Sequence, residues 1–170
     1  MGKGIIEVFL EYWPIFLKGL WGTLKFAFVA VLLGSILGSF VAIGSLSKNR
    51  VLSKTAALYV NVLRGTPLLV QMYISYYFIP MAFPLLNSID KVFYVLLALT
   101  LNSSAYVSEI IRGGINSVDI GQTEAARSLG MSASHTMRWI ILPQAIKNIL
   151  PALGNEYIAM VKETSLAGTF

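Results

Sequence analysis

The chain has 170 residues, 56% of them apolar and 12% charged, with a mean hydropathy of +0.71. Thirteen basic and eight acidic side chains are too few to clothe a soluble domain, which carries about 25% charged residues, so the composition reads as a single membrane domain. The apolar fraction excludes disorder, and the absence of Cys removes thiolate chemistry, iron–sulfur clusters and Cys-type zinc sites. The net charge of +5 is assigned to basic cytoplasmic loops beside anionic membrane lipid, not to nucleic acid.

A bilayer-spanning helix needs about 20 mostly apolar residues. Residues 26–47 form a 22-residue run without charge, bounded by Lys25 and Lys48. This first span is too long and begins too late for a cleaved signal peptide. Within it Gly34, Gly38 and Ala42 recur every fourth residue, a small-residue stripe that admits a close neighbouring helix. Residues 65–89 form the second uncharged run, between Arg64 and Asp90, and residues 92–108 the third, ended by Glu109. A fourth span is expected over 139–161, kinked at Pro143 and Pro151 and facing protein or water because it carries Lys147 and Glu156. The expected fold is therefore all-α, a polytopic membrane helical bundle.

Lys48, Arg50 and Lys54 share one short loop without acids, which places that loop in the cytoplasm. Residues 109–138 are then cytoplasmic as well, with Arg112, Arg127 and Arg138, and the N-terminus lies outside. Lys18 and Lys25 are read as interfacial, snorkelling side chains. Inside the 109–138 loop, Glu124–Leu129 has good helix formers, an acidic first turn and Gly130 placed as a C-cap. Ser132 or Ser134 can cap the helix that follows. Ala125, Ala126 and Leu129 offer an apolar surface with no core of its own, for which a partner protein is the natural cover.

Glu124-Ala125-Ala126, then three residues, Gly130, nine residues, Ile140, one residue and Leu142-Pro143 resembles the EAA signature of bacterial ABC-importer permeases. Arg64-Gly65-Thr66-Pro67-Leu68-Leu69-Val70-Gln71, Asn102-Ser103-Ser104-Ala105-Tyr106 and Glu109-Ile110-Ile111-Arg112-Gly113-Gly114 are similar to the polar amino-acid branch, the histidine/glutamine/arginine permeases. So are Ile149-Leu150-Pro151-Ala152-Leu153-Gly154-Asn155-Glu156 and Lys162-Glu163-Thr164-Ser165-Leu166. The resemblance implies the permease fold, a second permease subunit, homo- or heterodimeric, an ABC ATPase subunit and an extracytoplasmic amino-acid-binding protein. In it Glu124, Ala125, Ala126, Leu129 and Gly130 couple to the ATPase, while Arg64, Gly65, Pro67, Pro143 and Pro151 belong to structural motifs. Four spans are present, and the family's last span is expected after Phe170 but missing, which is where this sequence departs from the pattern.

No Gly-rich loop ending in Lys-Ser/Thr occurs, so nucleotide is expected on a partner. No cofactor, metal site or catalytic set is expected, and His135 stands without a carboxylate four residues away. Gln71, Asn102 and Glu156 are polar residues at membrane depth and have two readings: a pocket for a zwitterion on the substrate path, or hydrogen bonds between helices. Pro143 and Pro151 each free a backbone carbonyl near that depth, where a cation could be held. Arg64 either meets lipid phosphates or bridges to an acid of the loop helices. Beside an amino-acid importer subunit, the alternatives are a non-transporting membrane scaffold and an ABC permease for another small solute.

Overall fold

The computed structural model describes residues 4–170, and among them every regular element is helical. Helix α1 runs Ile5–Ser45, α2 Arg50–Gly65, α3 Leu68–Ala82, α4 Lys91–Asn116 and α5 Ile120–Ser128. A short α6, Ala133–Thr136, passes through a wide π turn at Met137–Ile141 into α7, Leu142–Glu163. Helices α1 and α4 are each long and apolar enough to cross a bilayer.

The most extensive packing is α1 against α4, and α7 packs against both of them, with the Tyr157 hydroxyl donating to the Leu24 carbonyl of α1 at 3.2 Å. The stripe read from the sequence is the contact itself: Gly34, Gly38 and Ala42 are buried, together with Ala27 and Ala30. A Cβ at Gly34 would come within 2.8 Å of Ser103 Cβ, and one at Gly38 within 2.7 Å of the Ser104 carbonyl oxygen. With no side chain at these two positions the backbones approach closely enough to add up dispersion contacts, the main attraction between helices where lipid is as apolar as leucine. The core beside this seam joins Ala27, Ala30, Met72, Val95, Ala98, Leu99 and Met160.

The polarity is inverted relative to a soluble domain. Ser103, Ser104 and Ser108 of α4 are buried, and Ser104 and Ser108 donate to the carbonyls of Leu101 (2.7 Å) and Ala105 (2.8 Å) in their own helix. Leu32, Ile36, Phe40 and Ile43 of α1 point outwards, as they must where the solvent is hydrocarbon.

Four expectations change in detail. Helix α1 begins at Ile5 instead of 26, because Lys18 and Lys25 limit the depth of burial in lipid, not helix formation. The run 65–89 is not one helix. Thr66 is extended (φ −114°, ψ 142°) ahead of Pro67, whose ring disfavours helical geometry in the preceding residue, and the helical chain resumes only at Leu68. The third helix continues past Glu109 to Asn116, so the first part of the expected 109–138 loop is helical. The fourth is continuous from Leu142 to Glu163 with Pro151 inside it, and its irregularity lies in the π turn ahead of Pro143. Pro80 follows a second π turn, Ile74–Phe78, at the same offset. In both places the wider turn makes room for a ring that would otherwise press on the carbonyl four residues back.

The α1–α4 seam yields the first prediction. Gly38→Ala places a methyl group against a backbone carbonyl that cannot rotate away. It should destabilise the detergent-solubilised protein by about 1–3 kcal/mol, read as a lower midpoint of thermal unfolding.

Candidate functional site

The interruption between α2 and α3 leaves helix-end carbonyls without partners, a serious cost in a bilayer. Gln71 meets it. Its Nε2 donates to the Leu63 carbonyl (2.7 Å), the Thr66 carbonyl (3.1 Å) and Thr66 Oγ1 (2.9 Å). Its Oε1 accepts from Asn102 Nδ2 of α4 at 3.2 Å. Gln71 thus ties the two half-helices to each other and to α4, the interhelical role among the two readings of its position. Tyr59, which the sequence does not single out, secures the same pair of helices, with its hydroxyl 2.6 Å from Ser104 Oγ.

The interrupted backbone opens a cleft of about 540 Å³ between the end of α2, the start of α3, α4 and α7. Arg64, Asn102, Tyr106, Glu156 and Glu163 supply its polar wall, with Gly65 and Pro67 at the break. Two of the three expected path residues, Asn102 and Glu156, therefore face one cavity, whereas Gln71 lines a separate, apolar one beside Val70 and Ile74. Glu156 Oε1 accepts a 3.0 Å hydrogen bond from Ser103 Oγ, the serine pressed against Gly34. Tyr106 and Glu163 were legible in principle, since they follow Asn102 by four and Glu156 by seven residues and so share their helix faces. The cleft holds a cationic and two anionic side chains within an apolar frame.

Arg64 pairs with an acid, as in the second of its expected readings, but the acid belongs to α4 and not to a loop helix. Arg64 Nη1 lies 3.4 Å from Glu109 Oε2, the first residue of the expected loop, and its guanidinium stacks 5.0 Å above the Tyr106 ring. Glu109 is held by Arg112 as well, through Arg112 Nε to Oε1 and Nη2 to Oε2, both at 2.8 Å.

The loop helix forms at Ile120–Ser128, four residues ahead of the expected start, so Glu124 lies in its middle and not in an acidic first turn. Asp119 caps its start through Gly121 N–H (2.6 Å), and Gly130 takes φ +83° after its end, the left-handed position that glycine adopts without strain. Ser132 caps α6 by accepting from His135 N–H at 3.3 Å. Glu124 and Ala125 are exposed, and Leu129 is 85% exposed. Ala126 differs from expectation. It is buried against the chain's own α6 and π turn, because a helix lying on the bundle must turn one small residue inwards. Pro143 follows the π turn, and α7 runs on as helix through Pro151.

Comparison with known proteins agrees with this geometry. Residues 13–170 match the family described as the inner membrane component of binding-protein-dependent transport systems. The nopaline transport system permease protein NocM of Agrobacterium fabrum is 44% identical, over 96% of this chain and 71% of its own length. The arginine transport system permease protein ArtQ of Bacillus subtilis is 44% identical, over 90% of this chain and 69% of its own. A crystal structure of an amino acid ABC transporter with histidines superposes with a TM-score of 0.92 at 47% identity, covering 99% of this chain and 77% of that one. The MetNI methionine ABC transporter shares the fold, with a TM-score of 0.77 at 20% identity over 94% of this chain.

Gln71 carries the second prediction. Gln71→Leu leaves the Leu63 carbonyl and the Asn102 amide short of a partner and should cost about 1–3 kcal/mol. The measurement is thermal unfolding together with amide exchange, which should quicken around residues 63–68.

Proposed function

Because the chain belongs to the inner-membrane components of binding-protein-dependent transport systems and is a multi-pass permease subunit of an amino-acid ABC importer, we propose that it translocates a polar or basic amino acid. An extracytoplasmic binding protein delivers the substrate, and ATP hydrolysis on a separate ATPase subunit drives the step. Two such permease subunits, alike or different, pair around the path. The subunit is not itself an enzyme.

The observation that carries the reading is α5. A nine-residue helix lies against the end of the bundle with Glu124 and Ala125 exposed, and Leu129 at its C-cap is exposed as well. An almost fully exposed leucine beside an alanine and a carboxylate suits a docking face for the ATPase. Ala126 and Gly130 shape that face from behind, one by packing inwards and the other by turning the chain. The substrate path runs by the cleft, with Asn102 and Glu156 on its wall.

Cysteines at positions 125 and 129 in the otherwise cysteine-free chain should crosslink to the ATPase subunit in the assembled transporter, and one at 126 should not. Gly130→Val forces a β-branched residue into φ +83° at a cost of about 1–2 kcal/mol. It should lower substrate-stimulated ATP hydrolysis roughly tenfold with membrane insertion intact. Full stimulation together with absent crosslinks would overturn the coupling role.

The orientation predicts labelling. In intact cells, an impermeant thiol reagent should modify a cysteine at position 88 and spare those at 53 and 117. Labelling at position 53 would reverse the assignment of the basic turn that holds Lys48, Arg50 and Lys54 to the cytoplasm.

A further inference from the structure

Helix α1 outreaches the rest of the bundle. Its 41 residues span about 61 Å at helical rise, twice the roughly 30 Å of a bilayer core. Beside it α4 begins at Lys91, and one cavity lined by Gly22, Thr23, Lys91 and Val92 sets that beginning level with Gly22. Above this level α1 continues for about five turns, and residues 4–22 are exposed without exception.

The exposed part has two different sides. At about 100° per residue, Glu7, Glu11, Pro14 and Lys18 share an arc of about 60°. It is the same arc that lower down turns Leu32, Ile36 and Ile43 towards lipid. Phe9, Trp13, Phe16 and Leu20 occupy the other side, 44–59% exposed, with the Phe9 ring centroid 5.0 Å from Trp13 and 6.1 Å from Phe16. Their alternating steps of four and three residues continue unbroken through Thr23, Ala27, Ala30 and Gly34, and the last three are the buried seam against α4. One stripe at the spacing of a helix–helix contact therefore runs down α1. Helix α4 covers its lower part, while the upper part, where rings replace alanine and glycine, lies bare.

The phase of the stripe decides what covers it. Lipid lies on the side of the charged residues, so the bilayer that bathes Leu32 and Ile36 reaches the aromatic side only through a twist that the continuous helix does not have. A delivery protein comes and goes, and would leave three rings open to water in each cycle, an aggregation patch. A permanent helical neighbour answers both points. We propose that the Phe9, Trp13, Phe16 and Leu20 face of α1 packs against a second copy of this chain, outside the bilayer and above the start of α4. This rests on the reading that two permease subunits pair, and gives that pairing its residues. Out of the membrane, large aromatic side chains gain from leaving water, whereas the lower seam relies on the close approach that glycine allows. Glu7, Glu11 and Lys18 keep the opposite side soluble.

The test uses the full-length permease with its ATPase in nanodiscs, without binding protein. The photo-crosslinking residue benzoylphenylalanine is placed singly at positions 13, 16 and 20, with 7, 11 and 18 as controls. On irradiation the first set should give an adduct of twice the permease mass, and the controls none. Trp13→Ser combined with Phe16→Ser should raise the share of complexes that part into single-permease halves on dilution in detergent, by about tenfold or more. The thermal midpoint of the separated subunit should stay unchanged, because both side chains are exposed within it. Adducts with lipid, or adducts that form only once binding protein is added, overturn the assignment. So does an unshifted double variant, or a complex that holds two permeases and gives no adduct. A complex that holds one permease overturns both this inference and the pairing beneath it.

Discussion

The carbonyl of Leu63 sets the terms for much of this protein. The end of a helix can leave its carbonyls inside a bilayer only where another group supplies the hydrogen bonds that water would otherwise donate. Here the Gln71 amide does so for Leu63 and Thr66 at once and accepts with its own oxygen from Asn102, whose amide also reaches the Leu63 carbonyl at 3.5 Å. Because the interruption is affordable, α2 and α3 can be offset, and the cleft bounded by Arg64, Asn102 and Glu156 can exist. The amide that makes the opening possible stands outside it, next to Val70 and Ile74.

The α4 helix is the common wall of the structure. On one face it receives the glycines of α1; on another it offers Asn102 and Tyr106 to the cleft; near its far end Glu109 and Arg112 form an ion pair. Its serines are small enough for close packing and return their hydroxyls largely to their own backbone, so the packed face carries little unsatisfied polarity. Ser103 departs from this habit: its hydroxyl leaves the helix to bond Glu156. Packing at Gly34 and the carboxylate orientation in the cleft therefore meet in one residue.

Much of this was readable from residue order. The four-residue recurrence of Gly34, Gly38 and Ala42 marks the seam because small side chains and close backbones are the same statement. Gly130 could be placed because a helix of known phase ends just before it. What escaped has physical causes. Freedom from charge measures depth in lipid, not helicity, so by itself it shortens α1 at its N-terminal side and leaves the break within 65–89 unmarked. Pro67, inside that run, carried the missing signal. The inward turn of Ala126 and the departure of Gln71 from the cleft depend on which neighbours arrive in space, and no local pattern encodes that.

The π turn at Met137–Ile141 has a geometric effect along the rest of its helix. An ordinary helical turn advances about 100° per residue, and a wide turn takes in one residue more than the regular spiral. Everything from Pro143 onwards is accordingly out of phase, by about one such step, with a wheel drawn from Ser132. The angle between the loop-bearing end of this segment and the face that carries Glu156 and Glu163 is fixed by that one surplus residue. Loss of the surplus would leave every downstream contact chemically unchanged yet aim the two carboxylates away from the cavity. A proline at position 143 makes such a loss expensive. In this sense the ring works as a rotational stop, holding two distant surfaces of one helix at a set bearing to each other.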